Sequence, residues 1–206
     1  MNKTIAIVAA SGVLMTGAVT GCASAAPSVT DQTASVTSGF AAGPRGRGDH
    51  MGGGGTVTLT GAGVLTAKEK KELKYLVEEE KVAHDLYVLA YDTYGLRVFS
   101  NIAASETRHQ QAITRVLTAY NLKDPSRGLP AGEFSDPALQ RLYDSLATRV
   151  ATSQDEALAV GVAVEKADIA DLREARSGMP KQVRTVLTQL VSASKQHLRA
   201  FTSWSR

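Results

Sequence analysis

Four stretches of this chain repeat apolar residues at steps of three and four. Each of the four interrupts its apolar stripe with a carboxylate, a histidine or both. In the first, Leu73, Leu76, Val77, Glu80, Ala83, His84 and Tyr87 share one helical face. The second carries Phe99, Ile102, Glu106, His109, Ile113, Val116 and Tyr120. The third carries Leu158, Gly161, Val162, Glu165, Asp168, Ile169 and Leu172. The fourth carries Val183, Leu187, Leu190, Ser194, His197, Phe201 and Trp204. Three of the four histidines in the chain fall on these stripes. One glutamate on an apolar face is a wobble in the pattern. Four helices that do this together need a common cause, because an unpaired carboxylate in a core costs several kcal/mol or changes its protonation state.

The punctuation between the stripes predicts an all-α domain. Thr66 and Glu69 have capping-box spacing and open a first long helix that runs to about Tyr94, where Gly95 ends it. A second runs from about Val98 to Tyr120. Pro125, Gly128, Pro130 and Gly132 make Asn121 to Ser135 a loop. Asp136 followed by Pro137 opens a short helix to about Val150. Ser153 and Glu156 form a second capping box, which opens a third long helix to about Arg176. Ser177-Gly178-Met179-Pro180 stops it, and the fourth long helix runs to about Trp204. Tight turns join helices one and two, and three and four, so each pair is an antiparallel hairpin. The connection between hairpins is long and carries the short extra helix.

A divalent cation removes the cost of buried carboxylates. Glu106 and His109 form E-x-x-H, which places an oxygen and a nitrogen ligand on one helix face. Glu165 and Asp168 repeat that spacing with two carboxylates. The candidate ligands are therefore Glu80, Glu106, His109, Glu165, Asp168 and His197, with His84 a further candidate either as ligand or as neighbour of one. Tyr87 is expected in the core with its hydroxyl bonded to a ligand. Measured from the second turn, His197 lies up to about a turn deeper than Glu165 and Ser194, within the uncertainty of helix limits. Glu69, Glu72, Lys70, Lys71 and Lys74, and also Glu78 and Glu79, are expected on a solvated face. Mixed oxygen and imidazole ligands suit iron or manganese, with zinc as a further option.

Residues 1–21 have the pattern of a signal peptide: Lys3, then an apolar run from Thr4 to about Val19, short of a comfortable membrane span. Val19-Thr20-Gly21-Cys22 resembles the lipobox of bacterial lipoproteins, in which the cysteine is lipidated and becomes the new N-terminus. That reading accounts for the only cysteine, which has no internal disulfide partner. The alternative is ordinary cleavage near Ala23-Ser24-Ala25-Ala26. Residues 22–62, rich in Gly, Ala, Ser and Thr, bury too little apolar area to offset the entropy of ordering and are expected to be a flexible tether. Arg47-Gly48-Asp49 within it is attributed to chance, and His50 is given no role. The predicted location is outside the cell, with a lipid anchor on the outer face of the cell membrane. A net charge of +3 with interspersed signs marks no nucleic-acid footprint.

Val98 to His109 (VFSNIAASETRH) resembles the second helix of rubrerythrins and their ferritin-like relatives. Glu80 with Tyr87 resembles the first-helix ligand and its nearby tyrosine, and Glu165 with Asp168 the paired third-helix carboxylates. Glu78 to Tyr87 (EEEKVAHDLY) and His197 to Phe201 (HLRAF) are similar to one ferritin-like branch designated a domain of unknown function in bacteria and archaea. The resemblance covers about residues 66–204. It implies a ferritin-like four-helix bundle over 63–206, two hairpins with a crossover, that holds a di-iron or di-manganese centre. It also implies oxidation of Fe(II) or reduction of peroxide, an electron donor outside this chain, and raises a homodimer. Two departures stand out. Ser194-x-x-His197 occupies the place of a fourth-helix E-x-x-H, so one bridging carboxylate is missing, and no C-x-x-C pair supplies a rubredoxin-type iron. A non-catalytic metal-binding or sensing lipoprotein and a metal-free helical interaction module therefore remain as alternatives.

Overall fold

The structure, a computed structural model, describes residues 64–206. The expected signal peptide, Cys22 and the expected tether lie outside the described residues. Within them the chain forms five helices and no strand: α1 (Ala67–Tyr94), α2 (Arg97–Ala119), α3 (Pro137–Val150), α4 (Gln154–Arg176) and α5 (Lys181–Trp204). No described helix is long and apolar enough to cross a membrane.

The helix limits follow from local chemistry. Thr66 Oγ1 accepts from Glu69 N at 3.2 Å, and Glu69 Oε2 accepts from Thr66 N at 2.6 Å, so two of the unsatisfied amides of the first turn are capped reciprocally. Gly95 at φ +69 takes the left-handed conformation that ends α1. Asp136 caps α3 by accepting from Ala138 N, with Pro137 next in line. At α4 the expected box forms only by half. Ser153 accepts from Glu156 N, but Glu156 turns to Arg149, whose Nε and Nη2 both donate to its Oε2 at 3.1 and 3.0 Å. A charge-assisted fork outcompetes one backbone amide.

The packing follows the turns. α1 lies on α2 and α4 on α5, as the short connections require, while α1 also packs on α4 and α2 on α5. α3 covers α1 and α4. The loop from α2 to α3 is pinned to α1 by buried polar groups. Lys81 Nζ donates to Pro130 O at 2.7 Å, and Asp85 Oδ2 accepts from Gly132 N at 2.9 Å. Glu78 accepts from Ser135 N. Glu78 is buried there, and Glu72 and Glu79 are also buried rather than solvated. Helix periodicity identifies a helix's own apolar face, and a loop or helix laid over the polar side is invisible to it.

Two apolar clusters fill the interior. One gathers Leu86, Tyr87, Phe99, Ile102, Leu158 and Phe201; the other gathers Leu73, Leu76, Ile113, Leu172, Leu187 and Leu190. Along every long helix the candidate polar residues, His84 excepted, fall between the members of the two clusters. At the first cluster Gly161 permits close approach, since a Cβ there would lie 2.9 Å from the Phe201 ring. Phe201 is fully buried against Tyr87 and Phe99, with ring centroids 5.0 and 5.5 Å away, and has no space to yield. Overpacking of about 1–3 kcal/mol should therefore outweigh the roughly 1 kcal/mol of helix propensity gained, so Gly161→Ala should lower stability in denaturant titrations. Equal or greater stability would show that the contact is loose.

Candidate metal centre

Glu106 on α2 stands at the centre of the polar layer. Its neighbour one turn on, His109, brings Nδ1 to 2.9 Å from Glu106 Oε2, as the i, i+3 spacing allows. From α5, His197 brings Nδ1 to 2.8 Å from the other oxygen, Oε1. Each imidazole then meets a second carboxylate: His109 Nδ1 lies 3.2 Å from Glu80 Oε2, and His197 Nδ1 lies 3.5 Å from Glu165 Oε2. The two rings stack with centroids 5.2 Å apart. The result is two similar half-sites, each with one imidazole and one outer glutamate, joined by Glu106. Tyr87 donates to Glu165 Oε1 at 2.8 Å, as the sequence led us to expect. Glu80, Glu106, His109, Glu165, Asp168, Ser194 and His197 are all buried.

Electrostatics show how demanding this layer is. Burial pushes Glu80 up to about 8 against the pull of His109, and Glu165 up to about 7 against that of His197. Burial also raises Asp168 well above the carboxylate range, and the charges of Glu80, Glu79, Glu165 and Glu106 add to it. Glu106 moves the other way. Burial opposes its ionisation, but the imidazoles of His109 and His197, one against each of its oxygens, hold it below the usual carboxylate range. Both histidines are raised against the effect of burial, His109 to about 11 by Glu80 and Glu106, and His197 to about 9 by Glu106 and Glu165. Without a cation, protons hold these acids together.

Protons do so incompletely. Glu80 Oε1, Asp168 Oδ1, Glu106 Oε1 and His197 Nδ1 are buried with no hydrogen-bond partner. The last two face each other at 2.8 Å without the angle a hydrogen bond needs. A cation imposes no such directional proton, and Glu106, His109 and His197 each offer a ligand atom within 4.8 Å of the others. The donor set present, oxygen with imidazole, fits a first-row transition ion.

Not every expected residue joins the layer. His84 is one-third exposed, and its Nδ1 lies 2.8 Å from Asp85 Oδ1, in the Lys81–Asp85 network that pins the loop. Ser194 is fully buried, and its hydroxyl donates to Leu190 O rather than to any ligand. His197, placed by sequence up to a turn too deep, reaches Glu106 directly. Glu79 and Asp171 escaped the sequence reading. The signal was there in the continuation of the three-residue step from Glu165 and Asp168 to Asp171.

Residues 69–204 match the family described as an uncharacterized protein domain, DUF2202. This chain belongs to the DUF2202 family. The match takes in every residue of the polar layer. An uncharacterized protein of Methanocaldococcus jannaschii, MJ0754, is 36% identical over 138 residues, which are 66% of this chain and 75% of that protein. The crystal structure of hypothetical protein MJ0754 superposes with a TM-score of 0.68 at 35% identity, covering 69% of this chain and 82% of that one. A solved relative thus shares the fold of this chain.

Proposed function

We propose that this DUF2202 chain is a ferritin-like four-helix bundle that binds a pair of transition-metal ions, iron or manganese ahead of zinc. One observation carries the proposal: a single buried carboxylate, Glu106, offers each of its oxygens to a different imidazole, and each imidazole has its own outer glutamate. In this reading Glu106 would serve both ions, His109 with Glu80 would hold one, and His197 with Glu165 would hold the other. Asp168 completes the charge balance, because two divalent ions bring as many positive charges as Glu80, Glu106, Glu165 and Asp168 bring negative ones. When iron is bound, the centre supplies one-electron chemistry toward O₂ or peroxide. The chain's own contribution is to exclude water and to fix the ligands. Tyr87 holds one oxygen of Glu165 and leaves the other toward His197, while Phe99 and Phe201 seal that side.

A second reading, binding without turnover, draws support from Ser194. With no carboxylate at that position, the pair has one bridging side chain instead of two. Metal binding should raise the melting temperature by mass action. Wild type should hold two ions per chain, Glu106→Ala should lose most of both, and His109→Ala should keep about one. Elemental analysis and melting curves decide this. Absence of metal after reconstitution with Fe(II), Mn(II) and Zn(II), with both variants merely less stable at every metal concentration, would favour the metal-free module. Oxidation of Fe(II) by O₂ or peroxide in the two-ion wild type separates a catalyst from a passive binder.

We also propose export and attachment to the outer face of the cell membrane through Cys22, supported by Val19-Thr20-Gly21-Cys22. Electrons for any reductive cycle would then come from a separate donor. Cys22→Ala should release the protein into the medium or leave it unprocessed. Unchanged membrane retention and unchanged gel mobility would contradict the anchor.

A further inference from the structure

A second set of acids leads away from the polar layer along the seam between α1 and α4. These helices run antiparallel, with the start of α1 beside the turn after α4: a Cβ at Gly178 would lie 3.6 Å from Glu69 Oε1. In that register, Glu165, Asp168 and Asp171 descend one face of α4 over about 9 Å at 1.5 Å per residue. Glu80, Glu79 and Tyr75 descend α1 beside them. Exposure increases in the same direction. Glu80, Glu165, Glu79 and Asp168 are buried, and Tyr75 and Asp171 are half-buried.

This is more than an acidic patch. Asp168 is 5% exposed, and its Oδ1 has no hydrogen-bond partner; Glu80 Oε1, at 1% exposed, has none either. The strongest charges acting on Asp168 are all carboxylates, Glu80 and Glu79 foremost. Tyr75 sits among the outer acids, where burial and the charges of Glu79, Asp171 and Asp136 raise its hydroxyl well above the ordinary range. Apolar and aromatic side chains line other faces of the layer. Tyr87, Phe99 and Phe201 are fully buried across one side of the layer, and the stacked imidazoles occupy the α2–α5 side.

We infer that this seam is the entry route for a divalent cation: Asp171 and Glu79 receive it from solvent, and Asp168 passes it to Glu80 and Glu165. The inference rests on the metal-centre reading above and adds residues that are not its ligands. A run of carboxylates between low-dielectric walls focuses the field and raises the local cation concentration. Removing one such charge slows entry and exit alike, so loading kinetics change and final occupancy does not.

The test uses the full-length chain, stripped of metal by chelator and mixed with Co(II) in a stopped-flow spectrometer. Asp171→Asn and Glu79→Gln should each load more slowly than wild type, on the order of tenfold at low ionic strength. The difference should shrink as salt screens the route, and the final Co(II) per chain should be the same. Asp171→Glu, which keeps the charge, should load at the wild-type rate. Equal rates for wild type and both neutral variants would overturn the route, and so would Asp171→Glu loading as slowly as Asp171→Asn. No Co(II) uptake by wild type is a different failure: it removes the metal centre itself and the route with it.

Discussion

Four carboxylates and two imidazoles buried in one layer set the terms for the rest of this molecule. Taking ionised groups out of water costs several kcal/mol each unless they are paired and hydrogen-bonded. Here the pairing converges on Glu106, which lies between His109 and His197. The helices have to deliver the six side chains from four separate segments to one level. The two apolar clusters, one on each side of the layer, supply the burial that holds the helices in that register. Neither cluster alone spans the interior. The polar layer is therefore the least expendable and the least self-sufficient part of the core.

The same layer explains features that look unrelated. Tyr87 is buried with its hydroxyl on Glu165, which spares one oxygen of that acid from being left bare. Gly161 lets Phe201 close over the layer. The long loop between α2 and α3 is tied down by Lys81, Asp85 and Glu78, and α3 lies against α1 and α4. A bound cation would compete with protons for these acids, so its binding is coupled to their ionisation.

Much of this was legible in the sequence. Thr66, Gly95, Asp136-Pro137 and the segment around Gly178 mark helix limits through backbone chemistry that acts within a few residues, and these limits agree with the structure. The burial of Glu80, Glu106, His109, Glu165, Asp168 and His197 was also legible, because each recurs at steps of three and four on an apolar stripe. Relations between helices were not. His84 shares its helix face with Glu80, yet Asp85 and the Lys81 network engage it instead. Glu79 looked solvated because α4, whose Asp168 lies within reach of its charge, is far away in sequence. Glu156 satisfied a capping pattern but met a stronger partner in Arg149. Periodicity shows which side of a helix is buried; it does not show what lies opposite.

The central claim is that Glu106 joins two metal half-sites. The most direct measurement is a crystal structure of the manganese-loaded protein, with data collected on both sides of the manganese absorption edge. The account predicts two anomalous peaks, one beside each oxygen of Glu106, the first near His109 and Glu80 and the second near His197 and Glu165. A single peak shared by Glu106, His109 and His197, or no peak in the layer at all, would contradict it.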